Sequence, residues 1–194
     1  MKKIFAQTIS TVINPVILIA LVPFLLIYKT TQNSTEAIYW SGISFIFIII
    51  FSLFVVIGVK LGYFSNFDIS NRTQRPLLYS FAIVLSLIYL LFLFILHAPL
   101  VLFMGIIALA LGLAVAELIN RKIKASLHVG TLVAFITALV IIYGSQFILA
   151  YILVPLVAWA RIETKNHTPK EIFAGGTVGF LLTIVVYAAF KYIM

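Results

Sequence analysis

The chain has no cysteine, so it can form no disulfide framework, no thiolate metal site and no cysteine nucleophile. Negative charge is almost as scarce: five acidic residues occur in 194, and Asp68 is the only aspartate. Clusters of carboxylates that would hold magnesium diphosphate for prenyl transfer therefore cannot be assembled from several aspartates. Charge of either sign is confined to 9% of residues. A soluble chain of this length would need far more polar surface to cover its core.

What is abundant is apolar side chain, at 64% of residues with a mean hydropathy of +1.23. Lipid must take the place of water around such a chain. The bilayer interior offers no hydrogen bonds to backbone amides, which leaves helices or a closed barrel, and these apolar runs are too long and continuous for alternating barrel strands. The reading is an all-α, polytopic transmembrane helix bundle of about six to seven spans. It forms one transmembrane domain over 1–194, with no internal repeat, low-complexity segment or soluble domain.

Roughly 20 apolar residues cross about 30 Å of hydrocarbon, and seven runs are candidates: 9–28, 39–63, 76–96, 99–119, 127–143, 146–161 and 170–191. The polar run from Lys29 to Glu36 divides the first two, and the run from Phe64 to Arg75 divides the next two. His97-Ala98-Pro99 makes a tight turn, with Pro opening the following helix. The fifth and sixth candidates, of 17 and 16 residues, reach only about 25 Å, so their shared loops are expected to dip inward. Met1-Lys2-Lys3 before an apolar run has the form of a signal peptide, but no small-x-small cleavage site follows and a retained first helix is expected. Tyr28, Tyr39 and Trp40 read as one interfacial aromatic belt, and Tyr63, Phe64 and Trp159 as the other.

Seven crossings put the amino terminus and the loops 64–75, 120–126 and 162–169 on one face. Eleven of the thirteen cations fall there: Lys2, Lys3, Lys60, Arg72, Arg75, Arg121, Lys122, Lys124, Arg161, Lys165 and Lys170, against Lys29 and Lys191. The positive-inside rule makes that face cytoplasmic. Discounting Arg75 and Arg161, which chemistry rather than topology could place there, leaves nine against two. The net charge of +8 suits contact with anionic headgroups and needs no nucleic acid; the expected partner is a membrane lipid.

The same face gathers the ionisable side chains. One loop reads Phe67-Asp68-Ile69-Ser70-Asn71-Arg72-Thr73-Gln74-Arg75-Pro76, a second Lys124-Ala125-Ser126-Leu127-His128, and a third runs from Ala160-Arg161 through His167 to Glu171. Each piece also has a plain structural account. Arg75-Pro76 can start a helix with the Arg anchored among headgroups. Ser126 suits a helix N-cap, with His128 in the first turn. Thr168-Pro169-Lys170-Glu171 has the form of a capping box. Glu171 can serve both cap and His167 if its carboxylate reaches back four residues. Glu117 and Arg121 share that spacing and are expected to form an interfacial ion pair.

Taken together these residues resemble the three-part signature of the type 2 phosphatidic acid phosphatase and vanadium haloperoxidase superfamily, over about 66–180. That family's motifs are Lys, six residues, Arg-Pro; then Pro-Ser-Gly-His; then Ser-Arg, five residues, His, three residues, Asp. Here they are matched by Arg75-Pro76, by Ser126 and His128, and by Arg161, His167 and Glu171, followed by Ala174-Gly175-Gly176 and Gly179, small residues that let helices approach closely. Asp68 stands where the family has Lys, Ala125 and Leu127 where it has Pro and Gly, and Ala160 where it has Ser.

The resemblance implies hydrolysis of a phosphate monoester or diphosphate on a lipid such as phosphatidate or a polyprenyl phosphate, without metal or other cofactor. Arg75 and Arg161 would hold the phosphoryl oxygens with the backbone amides near Ser126. His167 would be the nucleophile, Glu171 its orienting carboxylate and His128 the acid and base. Asp68 and Arg72 are accessory candidates: Arg72 restores some of the charge lost at position 68, or Asp68 orients an arginine. The membrane expected is the plasma membrane; the family's sites usually face away from the cytoplasm, against the charge count here. The other classes compatible with the chain are a non-catalytic scaffold or lipid transporter of the same fold, or another membrane lipid enzyme such as a prenyltransferase.

Overall fold

The computed structural model describes residues 1–191, and among them every regular element is a helix. The α-helices are α1 (Lys2–Val12), α2 (Pro15–Thr31), α3 (Ser34–Lys60), α4 (Arg75–Ile95), α5 (Leu100–Asn120), α6 (Leu127–Tyr143), α7 (Leu153–Glu163) and α8 (Pro169–Lys191). Two 3₁₀ segments, Arg72–Gln74 and Ser145–Ile152, lead into α4 and α7. Six helical stretches are long and apolar enough to cross a membrane: Lys2–Thr31, Ser34–Lys60, Arg72–Ile95, Leu100–Asn120, Ser145–Glu163 and Pro169–Lys191, with α6 a shorter apolar helix. Large apolar side chains lie exposed along them, among them Ile46, Leu53, Leu91, Phe94, Leu181 and Val185. A row of this kind is stable facing acyl chains and not water. The protein is a multi-pass helical membrane protein.

Several boundaries differ from those the apolar runs suggest. Candidate span 9–28 is interrupted, because Asn14 Oδ1 accepts the Val16 amide at 2.8 Å and Pro15 has no N–H to continue α1. The polar run 29–36 is almost all helix: α2 continues to Thr31, and the Asn33 side chain caps α3 by accepting from the Thr35 and Glu36 amides. Only Gln32, in the left-handed region at φ 52°, and Asn33 lie between them. The His97 turn forms as expected, with His97 at φ 53° and the Ala98 amide returning to the Leu93 carbonyl.

The sixth span is not short. Its first eight residues are 3₁₀ helix, which rises about 2 Å per residue where α-helix rises about 1.5 Å, so Ser145–Glu163 reaches about 32 Å. The aromatic belts also need correction. Tyr28, Tyr39 and Tyr63 are exposed as belt residues should be, but Trp40 and Phe64 are buried. Gly58 leaves the space that the Phe64 ring fills, and Phe64 packs edge-on against Phe54. Trp159 is half-buried and packs against Phe5.

The chain forms two compact units, divided at Pro23 within α2 and after Arg121. The first contains α1, the start of α2, α6, α7 and α8. Its apolar core is Ala6, Ile9, Leu18, Val129, Leu132, Val133, Ile136, Val157 and Ala160. Here α6 and α8 pack backbone to backbone. A Cβ at Gly175 would collide with the Ser126 backbone, one at Gly179 with the Gly130 carbonyl, and one at Gly130 would sit 3.0 Å from the Gly175 carbonyl oxygen. The small residues after the third motif do what their spacing suggests: without bulky side chains in between, dispersion contacts draw the two helices together.

The second unit contains α3, α4 and α5 with the end of α2, around a core of Ile27, Ala37, Trp40, Tyr89, Leu93, Val101, Leu102 and Ile106.

Candidate active site

In the first unit, three of the sequence's candidate residues are tied into one hydrogen-bonded frame with Ser126. Ser126 caps α6, its side chain accepting from the Val129 amide at 3.5 Å. Its own amide donates to the Glu171 carbonyl at 3.0 Å, which fixes the start of α6 against the start of α8. Glu171 and Thr168 form the capping box: the Thr168 amide donates to Glu171 Oε2 at 3.0 Å and the Glu171 amide to Thr168 Oγ1 at 3.4 Å. The same Oε2 lies 3.1 Å from His167 Nδ1. One carboxylate oxygen thus serves both the cap and the imidazole.

His167 is placed by the way α7 ends. After Glu163 the chain turns through Lys165, in the left-handed region at φ 58°, and the Asn166 and His167 amides both donate to the Arg161 carbonyl, at 3.1 and 3.2 Å. Thr164 Oγ1 adds a bond to the Ala160 carbonyl at 2.8 Å. The six-residue step from Arg161 to His167 is therefore the length of this turn, and it holds the His167 backbone against the carbonyl of the arginine.

Burial singles out the same residues. Relative exposure is 2% for Arg161, 6% for His167, 7% for His128 and 1% for Ser126. Among the described residues Arg161 is the largest side chain to be fully buried. A guanidinium stays charged at any relevant pH, and burying it is costly unless its environment compensates. His128 lies in the first turn of α6, two residues past the Ser126–Glu171 link.

The first motif lies in the second unit. Arg75 is 2% exposed and its Nε donates to the Ile69 carbonyl at 3.1 Å. Ile69 sits at φ 45°, a conformation that a β-branched residue avoids at a cost of roughly 1–2 kcal/mol. Its side chain is buried, a gain of roughly 1.5–3 kcal/mol, so burial outweighs the strain and the carbonyl is left aimed at the guanidinium. Asn66, Asn71 and Gln74 hold the rest of the loop by accepting from the Ser70, Thr73 and Ser65 amides. The accessory candidates Asp68 and Arg72 are exposed on it.

Glu117 does not pair with Arg121, which corrects the expectation from their spacing. It turns to α4, where it and Arg75 both act electrostatically on the Tyr79 hydroxyl. Sequence reasoning missed Tyr79 and Asn120, both buried in this unit. The available signal was helical spacing, Tyr79 lying four residues after Arg75 and Asn120 three after Glu117.

Among the described residues no three His, Asp or Glu side chains come together in a way that could hold a metal ion. No protein-family model matches the chain, and no curated protein sequence or solved structure is similar to it.

Proposed function

We propose that the protein is a metal-independent lipid phosphate phosphatase that works through a phosphohistidine on His167. The observation that carries this reading is the 3.1 Å contact between His167 Nδ1 and Glu171 Oε2, made by a buried imidazole whose backbone is fixed to Arg161. A carboxylate only accepts, so Nδ1 carries the proton and Nε2 keeps its lone pair. Nε2 then attacks phosphorus, the N–P bond forms, and the P–O bond to the lipid breaks. Glu171 stabilises the imidazolium that results.

His128 gives its proton to the leaving lipid oxygen. In the second half it takes a proton from water, the water oxygen bonds to phosphorus, and the N–P bond breaks to release phosphate. Arg161 holds the equatorial phosphoryl oxygens with a paired donor fork, helped by the start of α6, whose helix dipole favours an anion. Arg75 is given to the phosphate by the resemblance alone. A bilayer lipid needs no soluble-phase cleft, since it reaches a headgroup-level site from the membrane.

The test is His167→Ala in purified protein. Phosphate release from phosphatidate or a polyprenyl phosphate in detergent should disappear while the melting temperature is retained; undiminished turnover would end the proposal. We place the motif-bearing face on the cytoplasmic side of the plasma membrane, on the charge count. The chain has no cysteine of its own, so Ser65→Cys in the exposed loop, labelled by an impermeant maleimide in intact cells or only after lysis, decides the side.

A further inference from the structure

One end of the first unit carries lysines that the phosphatase reading does not use. Lys2 and Lys3 open α1, whose Phe5 ring packs against Trp159 in the last turns of α7, so the start of α1 lies beside the end of α7. Lys165 lies in the turn that follows α7, and Lys170 in the first turn of α8. That turn is tied to α7 by the Asn166 and His167 amides on the Arg161 carbonyl, which keeps the start of α8 at the same end. All four lysines are exposed, and none has an ion-pair partner among the described residues. The only acidic residues in this unit are Glu163 and Glu171, and Glu171 is already committed to Thr168 and His167.

Four ammonium groups gathered at one end of a small helical unit repel one another, and the complement of such a surface is negative charge. The kind of anion follows from what stands beside the lysines. Phe5 follows Lys2 by three residues on α1, and Phe173 follows Lys170 by three on α8, so on each helix an ammonium and an aromatic ring share a face. Phe5 is 59% exposed and Phe173 76%. A soluble anion would complement the charge and leave the rings in water. At the edge of a bilayer the rings enter the acyl layer while the flexible lysine stems carry their ammonium groups to the level of the phosphates. Charge and apolar surface together therefore fit an anionic lipid.

We propose that Lys2, Lys3, Lys165 and Lys170, with Phe5 and Phe173 beside them, form a docking surface for anionic phospholipids, whose headgroups neutralise this end of the first unit and stabilise the packing of α1, α7 and α8. The surface lies within one unit, on residues other than His128, Arg161, His167 and Glu171, and stands whether or not the protein is a phosphatase.

The experiment measures the melting temperature of the full chain in bilayers of phosphatidylcholine alone and of phosphatidylcholine mixed with phosphatidylglycerol, at low and at high salt. Phosphatidylglycerol should raise it by several degrees at low salt, as a ligand that binds only the folded state does, and high salt should remove most of the gain by screening. Free glycerol phosphate added to the phosphatidylcholine bilayers, at matched ionic strength, should give no such rise; an equal rise would assign the surface to a soluble anion and overturn the lipid. The combined variant Lys2→Gln, Lys3→Gln, Lys165→Gln and Lys170→Gln should lose most of the gain without a lower melting temperature in phosphatidylcholine. The pair Lys29→Gln and Lys60→Gln, which removes two cations from the second unit, should keep it. No gain from phosphatidylglycerol, a gain that survives high salt, an undiminished gain in the fourfold variant, or an equal loss in the Lys29 and Lys60 control would overturn the proposal.

Discussion

Replacing Glu171 by Gln separates two jobs that a single oxygen performs. In the native protein Oε2 accepts from the Thr168 amide at 3.0 Å and lies 3.1 Å from His167 Nδ1. A glutamine carbonyl in the same place accepts both bonds, and Gln serves the capping box as well as Glu does. The cap and the imidazole tautomer survive, and only the negative charge is lost. A carboxylate whose charge centre is about 4 Å from an imidazolium is worth about 4 kcal/mol at an effective dielectric of 20. At about 1.4 kcal/mol per decade that is a rate loss of about 10³. The Glu171 side chain is 20% exposed, and solvent screening brings the expectation to about 10²–10³ in kcat. The assay is phosphate release at saturating lipid phosphate, with the melting temperature measured on the same preparation. Glu171→Asp, which retains the charge, should recover part of the rate, and Glu171→Ala should lose both rate and about 1 kcal/mol of stability with the cap. A Gln variant as fast as the native protein would show that the carboxylate is a helix cap and nothing more, and would remove the physical basis for a nucleophilic His167.

The remaining predictions concern packing, phosphate binding and metal. Gly179→Ala puts a methyl into the Gly130 carbonyl and should destabilise the protein by about 1–3 kcal/mol, whereas Gly176→Ala meets only Val129 at 3.6 Å and Val133 at 3.8 Å and should be nearly neutral; thermal denaturation in detergent distinguishes the two, and equal tolerance would show that α6 and α8 do not pack through Gly179. Arg161→Lys keeps the charge but not the paired donors, and should lower kcat/KM by about 10–10³-fold; the same substitution at Arg75 tests the role that the resemblance gives it, with unchanged kinetics refuting that role. Addition of a chelator should leave phosphate release nearly unchanged, and a strict requirement for magnesium would indicate a different class of enzyme.

What could be read from the chain was whatever depends on spacing within one segment. Apolar runs of about 20 residues gave the helices, Ser126 and Thr168-Pro169-Lys170-Glu171 gave the caps, and the interval from His167 to Glu171 gave the imidazole–carboxylate contact, because one helical turn decides each of these. What could not be read depends on which neighbour a residue meets. Hydropathy alone does not distinguish Trp40 and Phe64 in the core from Tyr39 and Tyr63 facing outward, since adjacent aromatics have the same composition and differ only in the side of the element they occupy. Glu117 shows the same limit for charge. Its spacing to Arg121 permits an ion pair worth a few tenths of a kcal/mol at a surface, but the helix face that carries it turns to α4, where Arg75 and Tyr79 supply a buried electrostatic environment. Local rules rank partners by sequence distance, and tertiary packing ranks them by dielectric. For a buried carboxylate the second ranking prevails, because the interaction of two charges grows several-fold as the effective dielectric falls from that of water to that of a protein interior.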